Sequence, residues 1–167
     1  WSHYLWVVID PKVGEHGTTN VYYEGGPGPG DGHYLDPFIQ RGKTWLRTLD
    51  ADGPAELKVE ETKSPGKRWL SAALTAGGSR SIESYGKWGV YRYGKTDVLL
   101  HYYAKHFDVS SVDELTKLGR AEQLNLDVVP ELADDGAVFR VLWKGKPAAG
   151  RPVAVRGPGG FNANLKT

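Results

Sequence analysis

The chain has 167 residues, 40% of them hydrophobic and 25% charged, a balance that supports a packed core and argues against bulk disorder. Its 21 basic and 20 acidic side chains leave a net charge of +1, too weak a field to draw nucleic acid or an anionic membrane surface. No apolar run approaches the roughly 18 residues of a membrane span, and the absence of cysteine removes disulfides, thiolate ligands and thiol nucleophiles together.

The 22 glycines and 10 prolines fall in clusters between short aromatic and β-branched runs, which predicts an all-β protein with few helices. Tyr4 to Ile9 is apolar at both parities and reads as a strand buried on two faces, a central strand. Asp10-Pro11 ends it, a loop follows from Gly14 to Thr19, and Asn20 to Glu24 is the next strand. Gly25 to Gly32 is a stiff Gly/Pro loop. Asp36-Pro37 suits an N-cap and first helical position, so one helical turn is expected through Gln40. Further strands are expected at 45–49, 55–61, 67–74, 87–93 and 97–107. Gly86, Gly89 and Gly94 interrupt that region and suggest a bulge or corner. Ser111-Val112-Asp113-Glu114 has capping-box spacing, which places a short helix up to Leu118. With Gly119 to Glu122 as linker, residues 1–122 form an N-terminal β-sandwich. Residues 123–167 then offer four short strands, at 123–129, 137–143, 152–156 and 161–166. A sandwich normally needs about seven strands and about 100 residues, so this second domain is expected to be partial, with an open edge that more chain or a partner would cover. The chain opens on Trp1 instead of methionine, which predicts a removed leader or a cut.

The chemistry-bearing motifs of hydrolases, zinc proteases and nucleotide-binding loops are missing, and the prolines of the Gly25 to Gly32 loop lack the N–H groups a phosphate cradle uses. Glu60-Glu61 and Asp134-Asp135 are adjacent acids, which a strand would point to opposite faces and a turn would leave solvated. The reading is therefore of a non-enzyme. Without cysteine, histidines would have to supply a transition-metal site. His101 and His106, five apart, lie on opposite faces of a strand and about 140° apart on a helix, so they do not chelate as a pair. His16 and His33 fall in loops; Asp31-Gly32-His33 reads first as a polar turn and alternatively as an oxygen and a nitrogen for one ion. His3 is the most specific signal. A free amine on Trp1, two backbone amides and the His3 imidazole would line up four nitrogens suited to square-planar Cu(II) or Ni(II). Tyr85, Trp88, Tyr91 and Tyr93 crowd one segment beside several cations; core packing is the preferred reading, and stacking on sugars or single-stranded bases the alternative.

Several segments together carry a resemblance: His3-Tyr4-Leu5-Trp6, Val21-Tyr22-Tyr23-Glu24-Gly25 with its Gly/Pro loop, Asp97 to Lys105 ending in Tyr103-Ala104-Lys105, and Leu142 to Val153. The chain resembles the DUF4198 family, extracytoplasmic proteins of which some accompany nickel or cobalt uptake transporters. The resemblance implies a periplasmic or extracellular location, a histidine of interest at His3, and a C-terminal immunoglobulin- or transthyretin-like domain that runs on for several more strands. Taken with the residues, it leads to an expected non-enzymatic extracytoplasmic binding protein. Its expected cargo is Ni, Co or Cu for a membrane transporter, with Trp1 and His3 as first ligands and His33 or His101 as distant helpers. The alternative is a structural accessory subunit docked on a larger membrane-associated complex. A third class is a carbohydrate-binding module built on Trp88, Tyr91 and Tyr93.

Overall fold

The structure is a computed structural model that describes residues 3–133 and 136–167. Antiparallel sheets dominate it, as the strand-and-turn pattern predicts, and the chain divides into two compact units, Trp1–Leu118 and Gly119–Thr167. The adjacent acids Asp134 and Asp135, and Trp1 of the expected metal site, lie outside the described residues.

The first unit is a sandwich of two four-stranded sheets. One contains β1 (Tyr4–Asp10), β2 (Thr18–Glu24), β6 (Lys67–Ala73) and β5 (Glu60–Ser64), in that order. The other orders β4 (Ala55–Leu57), β3 (Lys43–Thr48), β7 (Arg80–Tyr93) and β8 (Thr96–Asp108). The core between them is built by alternation: Leu5 and Val7 from β1, Val21 and Tyr23 from β2, Leu70 from β6, Leu46 from β3 and Ile82 from β7. Burial of these side chains is the main favourable term holding the sheets together, at about 1.5–3 kcal/mol for each large one.

Several local expectations change. The strand expected at 87–93 is the second half of β7, which starts at Arg80 and carries Ile82 into the core. β1 is an edge strand, not a central one: only its Leu5 and Val7 parity enters the core, while Tyr4 is exposed and the Trp6 indole N–H donates to the Glu24 carbonyl at 3.0 Å. The single strand expected over 55–61 is two strands in two sheets, because the chain crosses the sandwich between Leu57 of β4 and Glu60 of β5. The turn at Asp36–Arg41 forms a short helix, α1, but its N-cap is Leu35, and Asp36 instead pairs with Arg68 at 2.7 Å. α1 also does more than expected, since Leu35 and Phe38 are buried in the core. The capping box holds: α2 (Val112–Leu118) starts with the Glu114 amide donating to Ser111 Oγ at 3.3 Å and the Ser111 amide donating to Glu114 Oε2 at 3.1 Å.

The long hairpin of β7 and β8 carries the feature that shapes the unit. Lys87 pairs with His101 and Gly89 with Leu100, so Trp88 is an extra residue, a β-bulge. Gly89 has φ +135°, which a residue with a side chain rarely adopts. The Trp88 carbonyl accepts a hydrogen bond from Arg41 Nη2 of α1 at 3.1 Å. Because a strand alternates faces, one extra residue inverts the parity of everything after it.

The second unit has a sheet ordered β11 (Lys146–Pro147), β10 (Gly136–Trp143), β9 (Leu126–Ala133), and a hairpin of β12 (Pro152–Arg156) with β13 (Asn162–Lys166). Its polar anchor is Asp127, which is buried and accepts from Arg120 Nη1 at 2.7 Å and the Ala121 amide at 2.9 Å. The register sets Leu126, Val128 and Leu132 of β9 on the same face as Phe139, Val141 and Trp143 of β10. Of these only Val141 is buried.

Replacing Gly89 with alanine meets no neighbour, so its effect isolates backbone strain; Gly89→Ala should lower stability by about 1–3 kcal/mol in denaturant melts. His106, opposite Ile82, has its pKa held below the ordinary 6.5, chiefly by burial, with Asp108 opposing and Arg80 reinforcing the shift. A depressed histidine leaves the folded state neutral while the unfolded state takes up a proton, so stability falls as pH drops below about 6.5. His106→Gln should flatten that part of the melting temperature against pH curve.

Candidate functional site

The inverted parity beyond Trp88 brings together side chains that an unbroken strand would separate. Before the bulge, Ile82 and Ser84 face the core; after it, Tyr91 and Tyr93 take that same side, opposite Val98 and Thr96. With Leu100 and Tyr102 of β8, Tyr23 of β2, Tyr34 of the loop before α1, and His3, they line an open cleft of about 460 Å³.

The base of the cleft is tied to the core. Tyr23 is buried, its ring lies 4.6 Å from Phe38 and 4.9 Å from Tyr102, and burial followed by its hydrogen bond with Tyr102 pushes the phenol pKa far above the ordinary range. Tyr23 therefore stays a neutral phenol. The rim is open: Tyr91 is 45% and Tyr93 59% exposed, with ring centroids 4.6 Å apart. Core packing, the preferred expectation for the Tyr85 to Tyr93 aromatics, does not describe these two. It does describe Trp88, which packs against the core and whose buried indole N–H has no hydrogen-bond partner among the described residues.

His3 sits at the cleft with its ring 5.6 Å from Tyr23 and 5.1 Å from Tyr34. Its Nε2 lies 4.0 Å from Glu24 Oε2, while Glu24 Oε1 accepts the Gly32 amide at 3.1 Å. A Cβ at Gly30 would run into the Glu24 carboxylate and displace it from this position. Arg68 clamps the same loop to β6: its amide donates to the Gly30 carbonyl at 2.9 Å, its Nη2 to Asp36 at 2.7 Å and its Nε to Glu61 at 2.6 Å. Tyr34 is thus held in place from both ends of its loop.

The other expected ligands are placed separately. His33 packs edge-on against Tyr34 at 4.5 Å, and its amide donates to Asp31 Oδ1 at 2.9 Å, the geometry of a polar turn. His101 lies between Leu100 and Tyr102 in sequence and so points to the opposite face of β8, where Nδ1 meets the Tyr85 hydroxyl at 2.8 Å. The structure brings His3 and Glu24 together but not His3 and His101. Among the described residues, no three histidine, aspartate or glutamate side chains gather closely enough to hold one ion. Sequence reasoning missed Tyr23, Tyr34, Leu100, Tyr102 and Glu24 as neighbours of His3. The signal available was the glycine at 89: a bulge there makes Trp88, Tyr91 and Tyr93 share a side despite their mixed parity.

No family model, curated protein or solved structure matches the chain.

Proposed function

We propose that the protein is a non-enzymatic extracytoplasmic binding protein whose ligand seats in the cleft beside His3. The observation that carries this reading is five tyrosines, at positions 23, 34, 91, 93 and 102, lining one concavity with two of them well exposed at its rim. A concave, ring-lined site of this size suits a small molecule. Among the described residues the lining offers aromatic faces and phenol hydroxyls beside the His3 imidazole, groups suited to holding a ligand. The extracytoplasmic location and a relationship to the DUF4198 family rest on the motif resemblance.

A ligand bound there should raise the melting temperature, and the double variant Tyr91→Ala with Tyr93→Ala should remove that rise while leaving the ligand-free melting temperature nearly unchanged. A rise that survives in the double variant contradicts the reading. Handling of nickel, cobalt or copper is its narrower form, favoured by the imidazole and carboxylate of His3 and Glu24 side by side. Calorimetric uptake of Ni(II), Co(II) or Cu(II) that His3→Ala abolishes would support it; no uptake, or uptake indifferent to His3, contradicts it.

A second reading, a structural accessory subunit of a membrane-associated assembly, is favoured by the apolar face of β9 and β10 around Phe139 and Trp143. No described helix is long and apolar enough to cross a membrane itself. Under this reading, Phe139→Lys with Trp143→Lys should release the protein from native membranes, and unchanged recovery in the membrane fraction contradicts it.

A further inference from the structure

We propose that the cleft takes a small trimethylammonium compound, its methylated nitrogen seated against the tyrosine rings that line it, Tyr91 and Tyr93 at the rim above all. The inference deepens the reading of the cleft as the binding site and rests on it.

Ring orientation is the first reason. A sugar-binding platform presents a ring flat to one face of the sugar, whereas a cage surrounds a compact group with rings in several planes. Here Tyr91 and Tyr93 meet at 60°, Tyr23 and Tyr102 at 73°, and His3 and Tyr34 at 78°, with only His3 and Tyr23 nearer to parallel at 30°. The rings form walls. A group seated among them meets ring faces and edges from several sides.

Charge is the second. Among the described residues no lysine or arginine lines the cleft, and the Glu24 carboxylate lies next to His3, with its other oxygen accepting the Gly32 amide. Ring faces carry the negative end of the aromatic quadrupole and attract a cation within about 6 Å of the centroid. Tyr23 stays an uncharged phenol, so that attraction comes from faces and not from a phenolate.

The third is what each kind of cation requires. A metal ion needs several oxygen or nitrogen donors to replace its water, and no three histidine, aspartate or glutamate side chains gather among the described residues to supply them. A quaternary ammonium has no N–H to satisfy and sheds its water readily, so aromatic faces are its matching surface. The cleft volume of about 460 Å³ admits such a head group with a short tail.

The test is a titration of the full chain, followed by calorimetry and by the ring resonances of its tyrosines. The probes are choline, its neutral carbon isostere 3,3-dimethylbutan-1-ol, glucose and Ni(II). The inference expects choline to bind at least about tenfold more tightly than the isostere, a difference of about 1.4 kcal/mol. It expects Tyr91→Ala and Tyr93→Ala each to weaken choline severalfold. Tyr91→Phe, which keeps the ring, should retain binding. Equal affinity for the isostere, or loss of binding in Tyr91→Phe, overturns the inference. Glucose or Ni(II) shifting the cleft tyrosines while choline does not overturns it too, yet leaves the cleft as a binding site. If no probe moves a cleft resonance, both the inference and the reading beneath it fall.

Discussion

One extra residue in β7 governs the first unit. Trp88 has no partner position on β8, and the strand resumes its pairing only at Gly89, whose φ of +135° suits a residue without a side chain. Everything beyond it is turned over. Tyr91 and Tyr93, which share parity with Tyr85, would otherwise stand with Tyr85, His101 and Tyr103 on the far side of the sheet. Instead they close a cleft against Leu100 and Tyr102, while Tyr85 keeps its own stacked contact with His101. The bulge is held from α1 by the Arg41 bond to the Trp88 carbonyl, and Arg68 fixes the loop that carries Tyr34. Two long side chains from separate elements thus stabilise the two walls of one site.

The units solve burial differently. In the first, two sheets cover each other and α1 adds Leu35 and Phe38 to the core, so even polar groups such as the Thr44 and Ser84 hydroxyls are buried and bonded to one another at 3.1 Å. In the second, buried Asp127 ties Arg120 and Ala121 to β9, but one face of the β9 and β10 pair leaves Leu126, Phe139 and Trp143 exposed. A large exposed apolar face is the property that distinguishes surfaces that meet something from surfaces that meet water. Function in the first unit is therefore sought in a concavity, and in the second in a face.

Much of the fold is legible because alternation and turn chemistry act locally. The β1 and β2 strands, the α2 capping box and the β12 and β13 strands follow from short-range pattern, whereas β9 runs Leu126–Ala133 instead of 123–129 and Lys146–Pro147, expected in a turn, pairs with β10 as β11. What could not be read depends on partners distant in sequence. The Ala55 to Glu61 stretch alternates as one strand, yet its two halves are recruited to different sheets, a choice made by β3 and β6 and not by the stretch itself. Tyr4 to Ile9 is apolar on both faces, but Trp6 uses its indole N–H on Glu24 and β1 remains an edge. The site was half visible. His3 and the aromatic segment both stand out in the sequence, and Gly86, Gly89 and Gly94 together suggest a bulge or a corner without saying at which of them. Their meeting required knowing that Tyr34 is brought in by a loop pinned to Arg68, which no spacing in the chain encodes.

The bulge delivers Tyr91 and Tyr93 into the cleft. Nuclear Overhauser contacts from their ring protons test it most directly, because the two faces of β8 carry different neighbours. Contacts are expected between the two rings and from Tyr91 to the Leu100 methyl groups. Contacts from Tyr91 to the Leu99 methyl groups, with none to Leu100, would contradict it.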